Sequence, residues 1–351
     1  MLYIGETPWH REGVRGLDPE ITPLAALAPA GLDHTYRGVP VQTTAGQNLP
    51  GYQAILRDDD RAYAVVSDGY TIVQPKALAD FMEPFHESGL IKVETAGSLH
   101  DGATIWFLGS IQGGEAFVGA SDPIRAYLLF ANSYDGSMSV RITPTWTRVV
   151  CANTLAISLS EDASKGIAIK HTKTAHARID AAQDVVRGQL AAFGGRIGEW
   201  RKLTAIPQAK GSGARSKQLR AYLAGVFGRP EILAQRKAAE KGGDSDRVEI
   251  VSTLLEQGRG ADLPTAQGTA WGLYNALTEY MTHVQGRGDA GKAAQSRLDR
   301  NAWGEGARLM SRAESIAVEL DSVFDLPDLV RLGVLKGSDL VMADGSVGGD
   351  K

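Results

Sequence analysis

The feature that most constrains the fold is a series of turn sequences between residues 51 and 150, each flanked by strand-forming runs. Asp58-Asp59-Asp60 separates Tyr52–Arg57 from Ala62–Val66. Leu99-His100-Asp101-Gly102 separates Ile91–Ser98 from Ala103–Ile111, and Tyr134-Asp135-Gly136 separates Arg125–Ser133 from Ser137–Val150. Asp and Gly tolerate the positive φ that tight antiparallel turns require, so each flanked turn predicts a hairpin. Together they predict a curved antiparallel meander. Between its second and third strands, Pro75–Ser88 reads as a helix, with Pro in the first turn, Leu78, Phe81 and Phe85 on one face, and Gly89 at the end.

The rest of the chain reads differently. Residues 1–50 are rich in Pro, Gly and Thr, which predicts a loop-rich start with one short helix near Pro23–Ala28. Cys151–Leu159 is apolar and predicts a short buried helix on the sheet. Lys173–Arg201 carries Ile179, Val186, Leu190, Phe193 and Ile197 at helical steps, and Lys210–Lys217 reads as a flexible basic loop before a helix over Lys217–Phe227. Val248–Glu256, Gln267–His283 and Trp303–Leu320 read as further helices. The expected fold class is therefore α+β: an antiparallel meander with helices packed on one face and a mainly helical C-terminal part. The expected segments are a loop-rich start (1–50), a sheet-plus-helix core (51–164), a basic long helix and loop (165–235), a helical part (236–339) and a disordered tail (340–351).

Composition excludes several classes. The 351 residues contain one cysteine, so an intramolecular disulfide and a four-thiolate zinc site are both ruled out. No apolar run reaches the roughly 18 residues of a membrane-spanning helix, and the first residues lack the basic-then-apolar pattern of a signal peptide. A cytoplasmic location without membrane attachment is the expectation. The formal net charge of −4 conceals an uneven distribution. Residues 1–164 carry 10 Lys+Arg and 19 Asp+Glu, residues 165–220 carry 12 and 3, and residues 221–351 carry 15 and 19. A basic block of this kind is the electrostatic footprint of a polyanion site and is equally the pattern of a solvated helix face.

The motifs narrow the chemistry mainly by failing. Gly211-Ser212-Gly213 beside Lys210 and Lys217 lacks the Gly-x4-Gly-Lys spacing that lets backbone N–H groups cradle phosphates. Cys151 sits among Val149, Val150, Ala152 and Leu155 with no nearby base, which fits a buried structural thiol. His171 and His176 lie among cations, unlike metal ligands, and Asp58–Asp60 fits a solvated hairpin tip. Trp9 is expected to dock on the sheet. No catalytic residue, metal or cofactor is expected.

The suggestive segment is Arg141–Arg148. Strand alternation puts Arg141, Thr143, Thr145 and Thr147 on one face and Ile142, Trp146 and Arg148 on the other. Cations that track phosphates and a ring that stacks on bases are how open sheets hold single strands, and a core Trp with two solvated arginines is the alternative. The candidate phosphate contacts are Arg141, Arg148, Lys165, Lys170, Lys173, Arg178, Arg187 and Lys202, with Trp146 as the stacking residue.

Thr7-Pro8-Trp9-His10, Val66-Ser67-Asp68-Gly69-Tyr70 with Val73-Gln74, Arg148-Val149-Val150-Cys151-Ala152-Asn153-Thr154-Leu155, and Gly268–Ala276 followed by Asn301-Ala302-Trp303-Gly304 resemble the phage/plasmid-like protein family, a domain of unknown function. The resemblance runs over most of the chain and implies a mobile-element protein without supplying an activity. The order of elements is similar to the β-β-β-α core of the Rad-type single-strand annealing proteins. That similarity implies single-stranded DNA as partner, recombination as context, and a homo-oligomeric ring or filament. The alternative is an interaction protein that binds a host protein and has no DNA activity.

Overall fold

The computed structural model describes residues 2–3, 18–148, 153–155, 167–179, 181–182, 193–233, 244–285 and 305–336. The chain forms two compact units. The first comprises Met1–Glu115, Arg125–Trp146 and Ser160–Phe193, and the second comprises Ala116–Ile124, Thr147–Leu159 and Gly194–Lys351.

In the first unit the hairpins predicted from the turns are present, but they divide between two sheets: the 52–57 and 62–66 strands, expected in one curved sheet with the rest, belong to a separate sheet because they pair with a strand of the N-terminal segment. Strands β1 (Leu2–Tyr3), β5 (Ile91–Leu99), β6 (Thr104–Phe117), β7 (Pro123–Ser133), β8 (Val140–Arg148) and β10 (Ile167–Ile169) follow one another across a sheet; β9 (Asn153–Leu155) belongs to the segment assigned to the second unit. A second, antiparallel sheet orders β2 (Tyr36–Gln42), β3 (Asn48–Arg57) and β4 (Ala62–Ser67). The segment expected to be loop-rich thus contains strand β2. Its Gly38 and Pro40 weaken any local strand signal, and it owes its form to pairing with β3, as Tyr36 opposite Arg57 and Val39 opposite Ala54.

Two helices cover one face of the large sheet. In α1 (Pro23–Ala30), the Thr22 hydroxyl accepts from the Ala25 N–H, Pro23 occupies the first turn, and Gly31 at φ 68° closes the end. In α2 (Pro75–Glu87), Leu78, Ala79, Phe81, Met82 and Phe85 are buried at helical spacing. They pack on Val93, Ile105, Phe107, Leu128, Phe130, Val140 and Ile142, and Phe81 meets the Phe130 ring edge-on at 5.2 Å.

The second unit is mainly helical: α3 (Phe193–Leu203), α4 (Ser212–Phe227), α5 (Asp244–Gln257), α6 (Ala270–Glu279), α7 (Glu305–Val318) and α8 (Leu326–Arg331). Trp200, Tyr222, Trp271 and Tyr274 are fully enclosed in its core. A side chain on Gly225 would come within 3.0 Å of Leu329 and Ile316, so the glycine permits the close approach of α4 to α7 and α8. Two expectations are corrected here. Ser212–Lys217, read as a flexible loop, forms the first turns of α4, because burial of Leu219, Tyr222, Leu223 and Val226 outweighs the poor helix propensity of Gly-Ser-Gly. Asn153–Leu155, read as part of a helix, is a strand, and a short apolar run does not by itself separate the two. Cys151, Trp9, the middle of the helix expected over 173–201, and the tail at 340–351 lie outside the described residues. Among the described residues no helix is long and apolar enough to cross a membrane.

Candidate nucleic-acid interface

The sequence-derived contacts fall into three groups. The side chains of Trp146, Arg148, Lys165 and Arg187 lie outside the described residues. Lys202 is on α3 in the second unit, and its Nζ is 2.8 Å from Glu199 Oε1, an exposed i, i+3 ion pair. Arg141, Lys170, Lys173 and Arg178 belong to the first unit: Arg141 is on β8, opposite Ala168 of the edge strand β10, and the other three follow β10 in the chain.

That margin of the sheet is built from the last strand outward. β10 pairs antiparallel with β8, with Ile167 opposite Ile142, Ala168 opposite Arg141, and Ile169 opposite Val140. Ile169 faces the core, and Ala168 is exposed. The chain then turns. The His171 backbone oxygen accepts from the Thr71 N–H at 3.1 Å, and Nδ1 of the same residue is 3.0 Å from the Thr71 oxygen. The imidazole stacks on Tyr70, centroids 4.4 Å apart and planes 12° apart, and the Tyr70 hydroxyl donates to the Ser133 oxygen. A helical turn over 175–179 follows, with Ala175, Ile179 and Ala182 buried at helical spacing. With those positions turned inward, Lys170, Lys173 and Arg178 are exposed.

Their ion pairing sets them apart from the other described cations of this unit. Arg37 pairs with Asp60, Arg57 with Asp59, Arg61 with Asp101, Lys76 with Asp80, Lys92 with Glu20 and Arg125 with Glu115. Arg141, Lys170, Lys173 and Arg178 form no ion pair among the described residues. The positive charge that the unit does not neutralise internally is therefore gathered on β8, β10 and the segment that follows. The acidic hairpin tip, by contrast, is spent on neighbours: Asp58 pairs with His34 and accepts from the Thr35 N–H, whereas Asp59 and Asp60 hold Arg57 and Arg37. Among the described residues no group of three His, Cys, Asp or Glu is arranged to hold a metal ion.

Residues 62–303 match the profile of a family described as Domain of unknown function (DUF932). The chain belongs to this family. The DUF932 match takes in β4 to β10, the cationic margin and the helices up to α6. No curated protein and no solved structure matches the chain. Within this DUF932 chain the structure also alters the reading of the Arg141–Thr147 face. Thr143 and Thr145 are buried, so the face they share with Arg141 is covered at those positions and is not open sheet. Ile142, on the opposite face, joins the core under α2.

His171 gives this margin a pH signature. Burial pushes its pKa below the ordinary imidazole value, against the opposing hydrogen bonds to the Thr71 and Met138 backbone. The folded state therefore binds fewer protons at this site than the unfolded state. The stabilisation is complete above the unfolded value of about 6.5 and is lost as the pH falls from there through the folded value. His171→Asn retains a donor for the Thr71 oxygen and does not titrate. Thermal melts between pH 7.5 and 5 are expected to show a smaller fall in the variant than in the parent. Equal falls would assign the pH dependence to other groups.

Proposed function

We propose that this protein binds nucleic acid through the margin formed by β10 and residues 170–178, with Lys170, Lys173 and Arg178 contacting phosphates. The observation that carries the reading is the segregation of cations: among the described residues of the first unit, the lysines and arginines that precede β8, Arg125 included, are paired with carboxylates, and these three are exposed and form no ion pair. Exposed, unpaired cations are free to displace the counterions condensed on a polyanion, which is the main source of salt-dependent affinity. Single-stranded DNA as the preferred ligand, strand annealing in recombination, and assembly into a ring or filament rest on the similarity in element order to the Rad-type proteins. A role on a phage or plasmid rests on the resemblance in the segments around Trp9, Asp68, Asn153 and Trp271.

Fluorescence anisotropy with labelled single- and double-stranded oligonucleotides over a salt series tests the reading. Binding is expected to fall steeply with salt and to favour the single strand. Combining Lys170→Glu with Lys173→Glu is expected to weaken it by about tenfold or more, and to reduce the magnitude of the log–log salt slope by roughly 0.7 for each phosphate no longer neutralised. Both positions are exposed, so folding should be preserved. Absence of binding at low salt would overturn the proposal and favour a host-protein partner. An unchanged salt slope in the double variant would remove these residues from the interface.

A further inference from the structure

The sheet edges of the first unit differ in how far they block further strand pairing. The large sheet ends in very short strands, β1 and β10. In the three-stranded sheet, β2 carries Arg37, Gly38 and Pro40, which has no N–H to offer, and its register with β3 shifts between Pro40 and Gln42. Strand β4, at the opposite edge, lacks these devices. Ala62–Ser67 holds no charged residue and no proline, and its one register shift lies at the start, opposite Ile55 and Leu56, so Ala64–Ser67 run regularly.

The backbone on the open side of β4 is unpaired. The Asp68 N–H donates to the Gly51 oxygen at 3.0 Å, which makes Tyr52 and Ser67 a non-hydrogen-bonded pair of the antiparallel ladder. The alternation then commits Ala64 and Val66 to β3 and turns the Val65 N–H and C=O outward, where they meet no partner among the described residues. Val65 is also the most exposed large apolar side chain among the described residues, at 57%, and Tyr52, on the same face of the sheet, is 51% exposed. The charges flanking the strand are of opposite sign. Arg61 precedes it, half-exposed in its pair with Asp101, and Asp68 follows it with no ion pair among the described residues.

We propose that β4 joins two copies of this chain as an isologous dimer, pairing antiparallel with itself about a two-fold axis at Val65. In that register Val65 exchanges both backbone hydrogen bonds with Val65 of the second copy, and their side chains pack side by side. Tyr63 falls opposite Ser67, and Arg61 falls opposite Gly69, next to the unpaired Asp68. A second copy fits better than an unrelated strand because the outward donor, the outward acceptor and the exposed apolar side chain all belong to the residue on the axis, and the flanking charges match reciprocally. The acidic tip does not oppose the contact: it lies beyond the paired residues, and His34, Arg57 and Arg37 hold its carboxylates. A two-fold contact closes on itself, so it yields a dimer and does not extend into a filament. The proposal is independent of the nucleic-acid reading.

Sedimentation equilibrium of the full chain tests it. The contact is smaller than a standard interface of about 1,600 Å², so a dissociation constant of roughly 10–100 μM is expected. Across about 1–300 μM the mass should therefore rise from monomer towards dimer. Val65→Pro removes the outward N–H without removing a bond to β3, and should weaken the dimer about tenfold or more. Val65→Lys places like charges across the axis at a position already exposed, should weaken it similarly, and carries the test should the proline variant fail to fold. In Val65→Cys the two thiols stand on a hydrogen-bonded pair with Cα atoms about 5.5 Å apart, within disulfide range. Oxidation with copper–phenanthroline should link that dimer at position 65, as located by mass spectrometry. Leu49→Cys, exposed on β3, and the parent, whose single cysteine is Cys151, should not cross-link. A mass that stays monomeric at the highest concentration, association unchanged in both the proline and the lysine variant, or cross-linking as efficient at Leu49 as at Val65 would overturn the proposal.

Discussion

Gly102→Ala is expected to destabilise the first unit by about 3 kcal/mol, several times the effect of the same change at other turn glycines. The β5–β6 turn runs through three consecutive residues with positive φ: His100 at 51°, Asp101 at 56° and Gly102 at 100°. A non-glycine residue in the left-handed region costs roughly 1–2 kcal/mol, and His100 and Asp101 already bear that cost. The three-stranded sheet holds the turn in place. Arg57 Nη1 and the Tyr63 hydroxyl both donate to the Asp101 oxygen, at 2.9 and 2.7 Å. The Tyr36 hydroxyl donates to the Gly102 oxygen at 2.8 Å, and Arg61 pairs with the Asp101 carboxylate at 2.7 Å. Tyr36 is itself fixed by a face-to-face stack on Tyr134, centroids 3.4 Å apart. Burial pushes the phenol of Tyr36 well above its ordinary pKa, so it remains a donor across the working pH range.

A methyl group on Gly102 would lie 2.8 Å from Arg57 Nη1, 2.9 Å from the Tyr63 oxygen and 3.0 Å from the Tyr36 oxygen. It thus meets the polar atoms that clamp the turn, and accommodating it breaks hydrogen bonds worth about 1 kcal/mol each, in addition to the strain. Gly136 supplies the control. It also has positive φ, 75°, but an added side chain would find only Val66, at 3.9 Å. Gly136→Ala should therefore cost only about 1 kcal/mol, from backbone strain. Calorimetry that resolves the unfolding of the first unit measures both. Equal losses at the two positions would mean that the clamp contributes nothing.

The parts of the fold legible in the sequence are those specified locally. The turns at 99–102 and 134–136, and the Pro-led α2 with its apolar face, need only near neighbours to be read. Strand β2 was not legible, because YRGVPVQ becomes a strand only when β3 lies beside it. The start of α4 was missed for a similar reason: its glycines read as a loop until the buried residues farther along the helix are counted. At the cationic margin, charge density along the chain identified Lys170, Lys173 and Arg178. What distinguishes them, the lack of a described carboxylate partner, depends on where Asp59, Asp60 and Asp101 lie in space. The spacing of Glu199 and Lys202 did carry the signal of their i, i+3 ion pair. The covering of the Thr143–Thr145 face had no local signal, since strand alternation assigns a side chain to a face and does not say what lies over it.

The second unit carries the other large effect, at a residue whose neighbours in the chain form no motif. Asp122 follows the tip of the β6–β7 hairpin and is fully buried. Its Oδ2 accepts from the Trp271 indole N–H at 2.8 Å and from the Thr265 hydroxyl at 3.0 Å, although those partners are more than 140 residues away along the chain. Trp271 in turn packs on Trp200 and Tyr274, at 6.0 and 5.9 Å, and the Trp200 indole donates to Glu314. The tip is held at a second point, where Arg201 Nε and Nη2 both donate to the Phe117 oxygen. Asp122→Ala removes a buried acceptor shared by two donors and leaves an indole N–H unpaired in the core, an expected cost of about 3–4 kcal/mol. Asp122→Asn keeps a carbonyl oxygen but loses the charge that strengthens both hydrogen bonds, an expected cost of about 1–2 kcal/mol. A double-mutant cycle with Thr265→Val separates the two contacts. Thr265 and Asp122 should couple by roughly 1 kcal/mol, and the larger part of the alanine effect should survive in the Thr265→Val background because it belongs to Trp271. Denaturant unfolding followed by tryptophan fluorescence reads the result directly. A loss below about 0.5 kcal/mol for Asp122→Ala would show that the carboxylate does not hold the tip to α6.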